Sequence, residues 1–172
     1  MTTLAPSPAA DTRTHDLGVL VLRVIVGGIM AVHGTQKLFG WFGGHGLDGA
    51  ATGFAAMGYP AAKAMATLAA VIETFGGLAL IVGLLTPLAA AAIVGNMLNA
   101  VVVKWDGGFF APNGYEYELL LTVAAAALAL TGPGAIAVDR FVPVLRRHRL
   151  GYGVAALVLA LVTGVIFALI RN

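Results

Sequence analysis

The sequence predicts an all-α transmembrane helical bundle, with a four-helix core and a fifth C-terminal transmembrane helix. Of its 172 residues, 59% are hydrophobic and only 10% are charged, whereas soluble domains carry about 25% charged residues. The apolar residues fall in five long runs, and a membrane-spanning helix needs about 20 such residues. Ionisable residues inside these runs are costly in lipid, which indicates that each of them is paired or lines a cavity.

Glycine- and proline-rich breaks separate the five predicted spans. Pro87 divides the second span from the third, because proline suits the first turn of a helix and disrupts its interior. Gly132-Pro133-Gly134 ends the fourth span, which is the shortest, for the same reason. The predicted spans cover residues 17–39, 61–85, 87–104, 116–130 and 150–170.

The distribution of charge predicts the organisation and the orientation of the chain. Residues 1–16 are polar and are predicted to be a mobile segment, followed by a four-helix membrane domain over residues 17–139. Residues 140–149 form a basic loop, and residues 150–172 an additional helix. Because arginine accumulates in cytoplasmic loops, we expect the basic loop and the N-terminus to be cytoplasmic and the C-terminus to lie outside.

Several classes of function are disfavoured by composition and spacing. The chain has no cysteine, which excludes disulfides, thiolate catalysis and iron–sulfur ligation by its own residues. His33 is the single histidine inside a predicted span, and no His-x-x-His spacing exists, so no metal site is expected. The segment Gly44-His45-Gly46-Leu47-Asp48-Gly49 matches a dinucleotide-binding motif by chance, because no strand precedes it. No aromatic-interleaved basic face indicates nucleic-acid binding.

Polar side chains in four of the spans are candidates for a ligand-binding or proton-relay site. The predicted topology places them at similar depths, from the middle of the bilayer to its outer edge. An alternative interpretation is a buried salt-bridge network, in which Lys37 pairs with Glu118 or Glu73 and merely fixes helix register. The six candidates are His33, Lys37, Glu73, Asn96, Asn99 and Glu118.

Other residues are assigned structural roles. Gly76 and Gly77 follow Glu73 on a small-residue face, which is typical of close helix packing in lipid. Arg23 lies near the inner end of the first span, where its head group would snorkel to the membrane surface. The predicted outer loops, residues 40–60 and 105–115, are rich in aromatic residues. We interpret these as an interfacial belt, with a lid over an outward-facing cavity as the alternative.

Several motifs in this order resemble the DoxX family of small bacterial membrane proteins. The resemblance covers roughly residues 17–139 and implies a four-helix core in the bacterial plasma membrane, with a structural role for Asp139. It also implies association with redox systems, since the family takes its name from the membrane part of a thiosulfate:quinone oxidoreductase. The motifs are Leu22-Arg23, residues 33–40, residues 73–80 with 83–86, Tyr117-Glu118-Leu119, and Thr131-Gly132-Pro133-Gly134 with Asp139.

These observations favour a membrane subunit of a redox-linked system, serving thiosulfate and quinone chemistry or oxidative-stress defence. Lys37 would supply positive charge to a quinone headgroup or sulfur anion, and His33 would exchange protons. Quinone is the candidate cofactor, none is expected to be covalently bound, and any enzyme activity would belong to an oxidoreductase complex. The expected partners are the lipid bilayer and redox proteins, with no nucleic acid. A non-catalytic scaffold that recruits enzymes and, third, a transporter of small molecules or lipids are the alternatives.

Overall fold

The computed structural model describes residues 12–143, 145–146 and 148–171, and within these ranges the chain is helical without strands. Helices α3 (Ala62–Val71) and α4 (Gly77–Val82) are joined by a π-helical segment, Ile72–Gly76, into one continuous helix. The helices are α1 Thr12–Phe39, α2 Gly46–Ala56, α3 Ala62–Val71, α4 Gly77–Val82, α5 Thr86–Lys104, α6 Glu116–Thr131 and α7 Leu150–Leu169.

The length and hydropathy of these helices confirm a transmembrane bundle. Among the described residues, four stretches are long and apolar enough to cross a membrane: Thr12–Phe39, Ala62–Val82, Thr86–Gly107 and Leu150–Leu169. Helix α6 has 16 residues, about 24 Å at 1.5 Å per residue, and is shorter than the roughly 30 Å of a bilayer core. It packs against α5 and α7 and completes the predicted set of five.

The first helix begins five residues before the predicted start of the first span. Thr12 to Asp16, assigned to the mobile N-terminal segment, are helical, and the Asp16 carboxylate accepts a hydrogen bond from the backbone N–H of Ala135 at 2.9 Å. This bond ties the start of α1 to the segment that follows α6. The rest of the predicted mobile segment, residues 1–11, lies outside the described residues, as does Arg147 of the basic loop.

The predicted outer loop over residues 40–60 contains a helix, α2. The sequence does carry its signal, since apolar residues recur at positions i, i+3, i+4 and i+7. Frequent glycines around the segment obscured this periodicity. Gly44 belongs to the segment that matches a dinucleotide-binding motif by chance. A Cβ on this residue would lie 2.4 Å from the carbonyl oxygen of Gln36, so the glycine permits close packing. The apolar residues of the α2 face are Leu47, Ala50, Ala51 and Phe54.

Helices α1 and α4 approach each other at glycines. A Cβ on Gly77 would lie 2.5 Å from the carbonyl oxygen of Gly27, and a Cβ on Gly27 equally close to that of Gly77. A Cβ on Gly76 would instead meet the Ile93 side chain at 3.6 Å, an ordinary contact. Of the two glycines predicted to pack closely, Gly77 therefore lies in the tight contact and Gly76 does not.

We expect Gly77→Ala to destabilise the bundle by about 1–3 kcal/mol, because the added methyl group forces two backbones apart. The matched control is Gly76→Ala, which adds the same methyl group one residue earlier, where there is room for it. The thermal unfolding midpoints of the two variants in detergent would provide the comparison. Equal midpoints would contradict the assignment of the contact to Gly77.

Arg23 is fully buried, with 1% of its surface exposed. It lies toward the end of the bundle opposite to the one where α1 ends. Its Nε donates to the carbonyl oxygen of Leu80 at 2.8 Å, and Nη2 donates to that of Ile81 at 3.0 Å. Both carbonyls belong to the last turn of α4, where a helix leaves its acceptors unpaired. Nη1 donates to Pro133 and, at 2.9 Å, to Ile136. The expectation that Arg23 snorkels to the membrane surface is therefore wrong.

Asp139 performs the complementary task at the start of α5. Its Oδ1 accepts from the N–H of Leu85 at 2.7 Å and its Oδ2 from that of Thr86 at 3.0 Å, which satisfies donors that a helix N-terminus leaves free. Between the two helices Gly83 has φ +72°, and a Cβ there would lie 2.8 Å from Cζ of Arg23. Arg23, which binds the end of α4, and Asp139, which binds the start of α5, therefore both stabilise the tight turn between these helices.

Candidate functional site

A polar pocket of about 220 Å³ lies where α1 and α5 end and α6 begins. All six side chains that the sequence analysis selected line this pocket. Helix α1 contributes His33 and Lys37, the π-helical segment Glu73, α5 Asn96 and Asn99, and α6 Glu118. The predicted convergence of four helices on one depth is therefore seen in the structure, and the roles of these residues stay predictions.

Lys37 and Glu73 form an ion pair on one side of the polar pocket, with Glu73 buried and Lys37 partly exposed. Nζ of Lys37 lies 2.5 Å from Oε2 of Glu73, and Nδ2 of Asn96 donates to Oε1 at 2.9 Å. Glu73 is 3% exposed, and both of its carboxylate oxygens are satisfied. It sits in the π-helical segment, a local widening of the helix that is frequent at functional sites. Of the two partners considered for Lys37, the structure selects Glu73.

Glu118 forms a second ion pair on the α6 side, with Lys104, at 2.6 Å from Nζ to Oε1. Sequence analysis missed Lys104, although it is eight residues beyond Asn96 and therefore within the same helical stripe. The other oxygen, Oε2, is buried without a hydrogen-bond partner among the described residues. A buried acceptor left unsatisfied is costly, so Glu118, which lines the pocket, has one carboxylate oxygen that lacks a donor in the described part of the chain.

The segment from α2 to the start of α3 forms a roof over the pocket. Phe54, Met57 and Tyr59 line the cavity, whereas Trp41 and Phe42 are mostly exposed. The positions of Phe54, Met57 and Tyr59 therefore agree with the interpretation as a lid. Those of Trp41 and Phe42 agree with the interpretation as an interfacial belt. No helical or strand periodicity pointed to Tyr59, because it lies in the turn between two helices.

Tyr59 connects this roof to the wall of the pocket. Its hydroxyl donates to Oδ1 of Asn99 at 3.3 Å, and burial raises the pKa of the hydroxyl, which keeps it a neutral donor. Nδ2 of Asn99 donates in turn to the carbonyl oxygen of Gly164 on α7, at 3.2 Å. Asn99 therefore joins the roof, α5 and α7.

His33 lies at the exposed rim of the pocket, with its ring centroid 6.3 Å from that of Tyr117. The pocket wall carries two lysines and two glutamates, so its formal charge is balanced when His33 is neutral. Apolar side chains, among them Met30 and Leu121, complete the wall. Within the described ranges, no group of three His, Asp or Glu side chains is placed to hold a metal ion.

Comparison with known proteins supports the resemblance found in the sequence. The family model described as DoxX matches residues 18–105. The chain belongs to the DoxX family. It is 34% identical to "Putative oxidoreductase CatD" of Bacillus subtilis (strain 168) over 131 residues, which are 76% of this chain and 90% of that protein. DoxX membership agrees with the helical bundle, and no solved structure matches the chain.

Two Escherichia coli (strain K12) proteins are also similar to this DoxX chain. Inner membrane protein YphA is 32% identical over 71% of this chain and 88% of its own length. Inner membrane protein YqjF is 30% identical over 74% of this chain and 94% of its own length. This chain is therefore a multi-span membrane protein of the DoxX family. The family match covers α1 from residue 18 onward and all of α2–α5, with Lys37, Glu73 and both asparagines of the pocket, whereas Glu118 and α7 lie beyond it.

Proposed function

We propose that this DoxX protein is the membrane subunit of a redox-linked system and binds the headgroup of a membrane quinone in the polar pocket. The observation that carries the proposal is the pocket itself, in whose wall two lysines and two glutamates meet, with Oε2 of Glu118 buried and without a partner among the described residues. The relative named as an oxidoreductase supports a redox role.

The size and charge of the pocket favour a quinone over the other ligands considered. A volume of about 220 Å³ is below the roughly 300–1,000 Å³ of drug-sized sites, and suits a single ring better than a dinucleotide. The balanced charges of its lysines and glutamates favour a neutral ligand over a sulfur anion, whose charge would stay uncompensated in a low-dielectric site. The ammonium group of Lys37 would donate to a carbonyl oxygen of the quinone, and the carboxylate of Glu118 would accept from a hydroxyl group of the reduced quinol.

A bound quinone would accept two electrons, from a redox partner protein, and two protons to become a quinol. The residues of this chain would supply and hold the protons. Glu118 would relay one proton to a quinone oxygen as the quinone is reduced, while Lys37, held by Glu73, would donate a hydrogen bond from Nζ. His33, at the exposed rim of the pocket, would supply the second proton. Proton delivery of this kind contributes about 10²–10⁴-fold to a rate.

We expect Glu118→Gln to lower quinone reduction about 100-fold, because an amide keeps the shape of the side chain and cannot deliver a proton. Lys104 keeps an acceptor in this variant, and its own side chain is partly exposed, so the fold should persist. The assay follows thiosulfate-driven reduction of decylubiquinone in membranes that contain the partner proteins. Binding of decylubiquinone to the purified variant should stay near that of the wild type.

Glu116→Gln is the matched control. Glu116 lies on the same helix, outside the pocket, and its Oε1 accepts from the N–H of Ala111 at 2.9 Å, a bond that an amide oxygen preserves. Its turnover should equal that of the wild type. If Glu118→Gln accumulates normally and also turns over at the wild-type rate, the proton-delivery role is wrong.

A further inference from the structure

An apolar groove of about 280 Å³ lies beside the polar pocket, between α3 and α7, with α5 as its floor. Leu68 on α3, Ala92 on α5 and Thr163 on α7 are among its lining residues. Leu68 and Leu159 are substantially exposed along the groove, which shows that its mouth opens on the apolar outer surface of the bundle. A molecule dissolved in the bilayer could therefore reach it sideways.

The groove and the polar pocket adjoin each other and share part of their lining. Tyr59, Asn96 and Asn99 line both, together with Phe54 and Ala69. Along α5 the groove extends from Leu88 to Asn99, about 16 Å at 1.5 Å per residue. Its polar lining is concentrated at the junction, where the Tyr59 hydroxyl donates to Asn99.

We infer that this groove holds the isoprenoid tail of the quinone whose headgroup occupies the polar pocket, an inference that rests on the proposed function. A polar pocket that adjoins an apolar channel matches a molecule with one small polar ring and one long hydrocarbon tail. A phospholipid fits less well, because its charged phosphate would have to enter a small, charge-balanced pocket beneath α2. The ligand enters from the bilayer and is oriented by the Tyr59–Asn99 junction.

Helix α7 acquires a function in this arrangement. It lies beyond the family match at residues 18–105, and it supplies one wall of the groove, including Thr163 and Phe167. Gly164 fixes that wall to α5, because its carbonyl oxygen accepts from Asn99. A tail leaving the bilayer gains packing contacts and a fixed orientation, with little hydrophobic free energy, since lipid is equally apolar.

The test compares two adjacent substitutions on α7. Thr163→Phe places a ring in the groove, away from the polar pocket, whereas Val162→Phe places the same ring on the exposed face. Purified protein in nanodiscs is titrated with tail-less ubiquinone and with a short-isoprenoid ubiquinone, by quenching of the Trp41 and Trp105 fluorescence. We expect Thr163→Phe to weaken binding of the isoprenoid form about tenfold or more, and to leave the tail-less form unchanged. Val162→Phe should change neither affinity.

The outcomes separate this inference from the proposed function. If the wild type binds both quinones and Thr163→Phe changes neither affinity, the assignment of the groove to the tail is wrong. The proposed headgroup site is unaffected by that outcome. Equal weakening of both quinones by Thr163→Phe would also overturn it, because the ring would then be disturbing the pocket itself. If the wild type binds neither quinone, the proposed function and this inference fail together. Release of a copurified phospholipid by Thr163→Phe, with quinone affinity unchanged, would reassign the groove to lipid.

Discussion

Replacing Arg23 by methionine is expected to lower the free energy of unfolding by about 3–5 kcal/mol, the cost of breaking a buried charged network. The guanidinium satisfies carbonyl groups from two separate parts of the chain, the end of α4 and the segment after α6. Methionine fills similar volume but has no donor for these carbonyls; the carbonyl of Leu80 keeps the N–H of Gly83 as a donor. The substitution also removes the positive charge that faces Asp139. The thermal unfolding midpoint of the purified variant in detergent measures the loss.

Two further variants identify the cause of this effect. Arg140→Met removes an arginine that is exposed and immediately follows Asp139 in the chain, so it should leave the midpoint nearly unchanged. Arg23→Lys retains the charge but has three donors on one nitrogen instead of a planar fork, and should recover part of the stability. If Arg23→Met and Arg140→Met melt at the same temperature, the buried network does not stabilise the α4–α5 turn.

The Lys37–Glu73 pair is expected to show that stability and activity can be separated. Lys37→Met should cost about 3–5 kcal/mol, because it leaves the buried Glu73 carboxylate without its cation. Glu73→Met should cost less, since the Lys37 side chain is 29% exposed and can be hydrated. The double variant should fold nearly as stably as the wild type, because replacing both partners of a buried pair by apolar groups is often neutral. Unfolding midpoints of the four proteins complete the cycle.

Quinone reduction by the same four proteins decides what the pair is for. We expect the double variant to fold and to lose nearly all turnover, because its pocket has lost the Lys37 donor. Lys63→Met is the control for loss of a lysine: Lys63 pairs with Asp48 at 2.8 Å on the surface, away from the pocket, and the variant should keep full turnover. A double variant that folds and reduces quinone at the wild-type rate would show that the pair serves only helix register.

Much of the fold could be predicted because the bilayer constrains a membrane protein mainly along one direction, the membrane normal. A bilayer imposes a minimum length on each span and a high cost on each charge, so the positions of Lys37, Glu73 and Glu118 were conspicuous in the sequence. Alternating the direction of successive spans then brought these residues to one depth. Helix α2 was not predicted, since its 11 residues are too few for a helix that spans the membrane.

The sequence by itself determined the helical membrane bundle, the family and six of the residues that line the polar pocket. Only the tertiary structure decided which charges pair, because Lys37 had two carboxylates at a suitable depth and helix rotation selects one of them. It also decided the role of Arg23, whose acceptors are backbone carbonyls 57 to 113 residues away. Every residue has such a carbonyl, so nothing in the sequence marks the ones that Arg23 binds. The apolar groove depends in the same way on the packing of α7 across α5, a spacing between helices that no residue pattern encodes.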